Sequence, residues 1–224
     1  MRAPNQLILE FEHRPSLSGE DFLISDENRE AVAWIDKWPN WPSPVVVIHG
    51  PPGCGKTHLC EVFRAKASAT ALASGFSEGL TSIDRTQAFV FDDFDRIMGG
   101  DAEEQVFHLY NGLRGEGGHL LATATLPPRQ WPFATPDVRS RVLASPSAAI
   151  AAPGDGLIAG LLVKLFTDCQ LVVGSEVIYY LLPRMERSFE AARRLVDALD
   201  RRSLTGKRRV TVPLAREVLA DFQQ

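Results

Sequence analysis

The chain has 224 residues, 45% of them hydrophobic and 23% charged, with a net charge of −4 and an isoelectric point near 5.8. That length and composition suit one medium domain plus a small one and exclude a disordered chain. The mild acidity argues against tight nonspecific binding of nucleic acid by bulk charge, and no apolar run reaches the length of a membrane span.

Residues 1–17 read as an extended tail. In it, Gln6-Leu7-Ile8-Leu9-Glu10-Phe11 sets Leu7, Leu9 and Phe11 at period two. Such a segment is either an edge strand on the protein's own body or a peptide that docks elsewhere through alternate side chains. A helix is predicted over 26–38, capped by Ser25 or Asp26, with Ala31, Trp34, Ile35 and Trp38 on one face. Prolines make 38–44 a loop. A short buried strand follows over 45–49, then a glycine-rich turn, then a helix to about residue 67 with Leu59, Val62 and Phe63 inward. Further strands are expected over 70–73, 88–93, 119–125 and 147–152. Helices are expected between them over 101–114 and 136–143. Strands alternating with helices predict an α/β fold: a parallel sheet with helices on both faces and its ligand at the C-terminal strand ends. After Pro153-Gly154 the pattern turns all-helical, with helices predicted over 155–169, 175–182, 188–202 and 213–222. The predicted organisation is therefore a tail (1–17), an α/β domain (18–153) and a small helical domain (154–224).

The turn carries the chemistry. Gly50-Pro51-Pro52-Gly53-Cys54-Gly55-Lys56-Thr57-His58 fits the G-x-x-x-x-G-K-[ST] loop that cradles phosphates, with strand, loop and helix in the required order. Its glycines let backbone N–H groups turn toward phosphate oxygens, and the next helix adds its positive end. Lys56 would neutralise the β- and γ-phosphates, and Thr57 would ligate Mg²⁺. Asp92 and Asp93 end an apolar strand. Asp92 would hold Mg²⁺ through water, and Asp93 would orient or polarise an attacking water. Asp95 reads as a helix cap. Thr125, at another strand end, would meet the γ-phosphate or that water. Arg139 and Arg141 flank Ser140 and are either solvated charges or an arginine finger acting on a neighbouring subunit. Arg201, Arg202, Lys207, Arg208 and Arg209 read first as a solvated helix end, with contact to nucleic acid or an acidic partner as the alternative. The three cysteines have no metal-ligand spacing and read as reduced cytosolic thiols. Cys54, inside the loop, is open to a lowered pKa from the helix end.

This order of motifs resembles the AAA+ ATPases and, within them, the DnaA/Hda family. Gly55-Lys56-Thr57-His58-Leu59 resembles that family's P-loop, and Phe91-Asp92-Asp93 its Walker B motif. Residues 120–130, ending Pro127-Pro128-Arg129-Gln130, are similar to its sensor-I strand and following loop. Pro136-Asp137-Val138-Arg139-Ser140-Arg141 resembles the finger segment and puts the finger at Arg141. The chain looks short, with neither the initiator's DNA-binding domain nor its N-terminal self-association domain. In their place, Gln6, Leu7, Leu9 and Phe11 resemble the peptide by which Hda proteins bind the polymerase sliding clamp (β subunit). The resemblance implies a cytoplasmic, bacterial regulator of replication initiation. It would bind ADP or ATP with Mg²⁺, dock on the clamp and trigger hydrolysis of DnaA-bound ATP by Arg141 in trans. Contact with DNA would be only indirect, and a homo-oligomer is open. The chain departs from the family pattern at two places. Thr125 stands where Asp or Asn is common, and Glu190 stands where the lid arginine is expected, with Arg193 one turn later. Rival readings are a helicase loader or transposition helper of the DnaC/IstB type, a small-molecule P-loop kinase, and a nucleotide-locked adaptor.

Overall fold

A computed structural model describes residues 12–14, 22–72, 87–206 and 208–222. The clamp-peptide positions Gln6, Leu7, Leu9 and Phe11 lie outside the described residues. The chain divides into two compact units, one spanning Arg14–Ala151 and the other containing Ala152 onward.

Short strands occupy Glu12–Arg14 (β1) and, in the first unit, Phe22–Ile24 (β2). Helix α1 (Arg29–Lys37) follows, then β3 (Val45–His49), α2 (Lys56–Ala67), β4 (Thr70–Leu72), β5 (Ala88–Phe91), α3 (Glu103–Glu116), β6 (His119–Ala124), α4 (Pro136–Ala144) and β7 (Ser147–Ala149). Strands β4-β5-β6-β3-β7 form one sheet in that order, and each of its pairs is parallel. Parallel strands covered on both faces read as unbroken apolar runs, which is why Val45-Val46-Val47-Ile48 and Ala88-Phe89-Val90-Phe91 show no polar alternation. Their side chains still divide by face. Val46, Ile48, Val90 and Leu121 pack with Ala31, Ile35, Leu59, Cys60 and Phe63 of α1 and α2. Val45, Val47, Phe89, Phe91, Leu120 and Ala122 pack with Val106, Leu109, Leu113, Val138 and Val142 of α3 and α4. The sheet is thus sandwiched, and the central pair β3–β6 brings the end of the first motif strand beside that of the Thr-bearing strand. His49 lies opposite Ala124.

Below the first layer Trp41 stacks on Phe63 at 5.3 Å and meets His119 edge-on at 5.4 Å. His119 is half-buried, and burial holds its pKa below the usual histidine value, although a hydrogen bond to the Pro39 carbonyl pulls the other way.

Helix α1 starts three residues later than expected. Its N-cap is Asn28, which makes no side-chain cap bond; Asn28 Oδ1 instead accepts the Ser25 N–H at 3.0 Å. Asp26 pairs with Arg29 at 3.0 Å rather than capping.

The second unit contains α5 (Asp155–Asp168), α6 (Ser175–Leu181), α7 (Phe189–Gly206) and α8 (Val212–Phe222). Ile158, Leu162 and Phe166 of α5, Leu181 of α6, Leu195 and Leu199 of α7, and Leu214 and Val218 of α8 are buried in it. Asp155 begins α5 behind the N-cap Gly154, and its carboxylate holds Arg187 at 2.8 Å. Among the described residues no helix is long and apolar enough to cross a membrane.

Candidate functional site

The turn after β3 is built by glycine. A Cβ on Gly50 would lie 2.3 Å from the Ile150 carbonyl oxygen, so no side chain fits there. Gly53 (φ 74°) and Gly55 (φ 101°) are left-handed, a conformation nearly free only for glycine. Gly55 is the N-cap of α2 and supplies no side-chain cap bond, which leaves the positive end of the helix to an anion. Lys56 is buried. Its Nζ donates to the carbonyls of Gly50 at 2.8 Å and Pro51 at 3.0 Å, closing the loop on itself. Pro51 and Pro52 are exposed on the turn, and His58 is half-buried on the first turn of α2.

Thr57 and Asp92 meet across the sheet ends: Thr57 Oγ1 donates to Asp92 Oδ2 at 2.6 Å. A hydroxyl and a carboxylate side by side beside a phosphate-shaped turn are the hard oxygen donors that Mg²⁺ takes, usually with water and phosphate filling the remaining positions. The residues therefore fit a Mg²⁺–nucleotide. No group of three or more His, Cys, Asp or Glu that could hold a metal by itself occurs among the described residues.

Sequence reading missed Thr123. This wholly buried hydroxyl donates to the second oxygen of Asp92, Oδ1, and accepts the N–H of Asp93 at 3.1 Å. Asp93 has left-handed backbone geometry (φ 55°), and its carboxylate sits 3.1 Å from Arg96. Asp95 is no helix cap. Its Oδ2 accepts the N–H groups of Thr125 at 3.0 Å and Leu126 at 3.4 Å, tying the end of β6 to the turn after β5. Thr125 itself is half-buried just past the end of β6.

The thiols are unpaired, and Cys54 does not show the lowered pKa that its place in the loop left open. Burial pushes the Cys54 thiol up, and the opposing pull of Lys56 is the smaller effect, so the helix end does not activate it. Cys60 lies deeper, and burial, reinforced by the Asp92 charge, pushes its thiol up as well. Both stay protonated. Half-buried His49, at the end of β3, is held below the usual histidine value by burial, with the Glu30 charge opposing.

Arg141 is half-buried on α4, its guanidinium 4.4 Å from the ring centre of Phe107 and donating to Asn111 Oδ1, both on α3. Its neighbours Arg139 and Ser140 are exposed. What sets α4 in place is another carboxylate that sequence reading passed over. Glu103, 2% exposed at the start of α3, accepts N–H groups from Gly99 (2.7 Å), Ala134 (2.8 Å) and Thr135 (2.7 Å). Burial alone would raise its pKa. These hydrogen bonds outweigh it and hold the carboxyl below the ordinary glutamate value.

In the second unit Arg193 is exposed on α7, and Glu190 lies 4.0 Å from Arg194. Part of the basic cluster is neutralised locally: Arg202 pairs with Asp221 at 2.6 Å and Arg208 with Glu217 at 3.1 Å.

Comparison with known proteins finds one family-model match and a shared fold. Residues 167–219 match the family model of the Hda lid domain. Domain III of the Thermotoga maritima replication initiation protein DnaA superposes with a TM-score of 0.74 at 17% identity, covering 90% of this chain and 94% of that one. AMPPCP-bound DnaA from Aquifex aeolicus gives 0.71 at 18% identity, over 86% of this chain and 67% of that one. The RuvB Holliday junction branch migration motor of Thermotoga maritima gives 0.68 at 15%, over 88% and 69%. At these identities the likeness is one of fold: a parallel sheet with flanking helices, as in AAA+ proteins, followed by an Hda-type lid segment. Together they are consistent with a DnaA/Hda-family AAA+ protein.

Proposed function

We propose that this AAA+ chain with an Hda-type lid is a cytoplasmic regulator of replication initiation that binds an adenine nucleotide and promotes hydrolysis of ATP held by DnaA. The match of residues 167–219 to the Hda lid is the observation that carries the reading beyond a generic nucleotide binder. Gly50, Pro51, Pro52, Gly53, Cys54, Gly55, Lys56, Thr57 and His58 would wrap the phosphates of ADP or ATP, Thr57 and Asp92 would hold Mg²⁺, and Arg193 is the lid residue assigned to the nucleotide. Nucleotide analogue in a similar fold, as in AMPPCP-bound DnaA, supports this part.

Mg²⁺, when bound, neutralises phosphate charge. This chain's own contribution is to shape the turn with glycine, to set the first turn of α2 against the phosphates together with Lys56, whose Nζ would exchange the Gly50 and Pro51 carbonyls for phosphate oxygens, and to keep Asp92 aimed at Thr57. Asp93 and Thr125 act on the water that attacks this chain's own nucleotide. Asp93 does so weakly, because its carboxylate faces Arg96.

Arg141 serves the partner. It leaves the Phe107 face and reaches the γ-phosphate held by DnaA, while exposed Ser140 and Arg139 meet the partner first. Gln6, Leu7, Leu9 and Phe11 hold the protein on the sliding clamp, so contact with DNA is indirect.

The test pairs a clamp pull-down, with and without residues 6–11, with a DnaA ATPase assay on clamp loaded on DNA. Loss of residues 6–11 should abolish clamp capture, and Arg141→Ala should abolish stimulated hydrolysis while capture persists. Stimulation that survives Arg141→Ala would overturn the trans mechanism. Turnover stimulated by DNA without DnaA would instead fit a loader or helper of the DnaC/IstB type.

A further inference from the structure

Asp92 has two carboxylate oxygens, and the two are held by different hydroxyls. Thr57 takes Oδ2 at 2.6 Å, on the exposed side where a nucleotide would lie. Thr123 takes Oδ1 from behind, at zero exposure. A threonine hydroxyl has one hydrogen and two lone pairs. Here the hydrogen goes to Asp92, and one lone pair receives the Asp93 N–H at 3.1 Å. Thr123 is locked in turn by the sheet, opposite Ile48 on β3.

A carboxylate hydrogen-bonded at its inner oxygen rotates only by breaking that bond, which favours the orientation that points its other oxygen at Thr57. We infer that Thr123 is the positioning residue of this nucleotide site: it never touches the ligand, but it orients the Asp92 carboxylate toward Thr57 and braces the left-handed turn at Asp93. The inference rests on the reading of this turn as a Mg²⁺–nucleotide site. It assigns Thr123 the part of the outer partner that aims a metal-side ligand.

Thr123→Val keeps the shape and removes both hydrogen bonds, while Thr123→Ser keeps the hydroxyl. The readout is the gain in ADP affinity conferred by Mg²⁺, measured by calorimetry with Mg²⁺ and with EDTA for wild type and both variants. Removing an outer partner of a metal ligand costs about 10–100-fold in metal affinity. The Mg²⁺-dependent gain should therefore fall by about that factor in Thr123→Val and return to within about threefold of wild type in Thr123→Ser. An unchanged gain in the valine variant overturns the inference. So does an equal loss with and without Mg²⁺, which would mark a packing role, and so does a serine variant that behaves like the valine. Absence of ADP binding by wild type would overturn the nucleotide-site reading itself, and this inference with it.

Discussion

Thr57 Oγ1 stands 2.6 Å from Asp92 Oδ2 although 35 positions separate them in sequence. The parallel order β3–β6–β5 makes that meeting possible, because both strands deliver their C-terminal ends to one edge. Asp92→Asn keeps the shape and removes the charge. Mg²⁺-dependent nucleotide affinity should drop by at least the about 10–100-fold that losing an outer partner of a metal ligand costs. Titration of ADP with and without Mg²⁺ measures it, and an Mg²⁺ effect equal to that of wild type would rule Asp92 out of the metal's surroundings.

Gly50→Ala tests the turn. The added methyl would sit 2.3 Å from a backbone oxygen, Ile150 O, and 3.0 Å from Cys54 Sγ. The carbonyl cannot swing aside as a flexible side chain can, so β3 and the chain after β7 must separate. Overpacking of this kind costs about 1–3 kcal/mol. Urea unfolding should show that loss in Gly50→Ala. Gly100→Ala, where nothing lies within 4 Å of the new methyl, should stay near wild type.

Glu103 gives a pH signature. Its native pKa lies below the ordinary glutamate value, so its charged form contributes stability that is fully present above the unfolded pKa, about 4.3. That contribution drains away as pH falls through the lower native value. Glu103→Gln should therefore be less stable than wild type at neutral pH and should lose less on acidification in this window. Parallel stability curves for the two proteins between pH 3 and 6 would show that the carboxylate is not a major source of acid sensitivity.

Half-buried His119 and His49 work in the opposite proton sense. Burial lowers both pKa values, so below about pH 6.5 the unfolded chain takes up protons that the native state declines. Stability should fall as pH drops through that value and level off once the native pKa values are passed. His119→Gln should lessen the slope without erasing it, because His49 retains its share. Denaturant midpoints measured at half-unit steps from pH 5 to 7.5 decide the point.

Much of the site was legible in the residues because its signals are contiguous. The apolar run ending at His49, the spacing from Gly50 to Thr57 and the carboxylates ending β5 each announce themselves within a few positions. Face-sharing in α1 was also readable, since Ala31 and Ile35 follow helical spacing whatever they pack against. Thr123 gave no such signal: a threonine inside Ala122-Thr123-Ala124 looks like ordinary strand filler until the register sets it behind Asp92. Asp95 was misread because carboxylates near a turn commonly cap helices, and only the folded sheet brings the Thr125 and Leu126 N–H groups to it. Glu103 hid for the same reason, its donors lying 4 to 32 positions away. Cys54 went wrong in sign. Sequence shows the helix end beside it but not its burial, and burial is the larger effect.

The grip of Glu103 also has a mechanical side. One sequestered negative charge ties down both Gly99, beyond the Asp92 strand, and Ala134–Thr135, at the root of the helix that carries Arg141. Neither segment can drift alone without stranding that charge among too few donors. A push delivered at either end must therefore be transmitted to the other or be resisted outright.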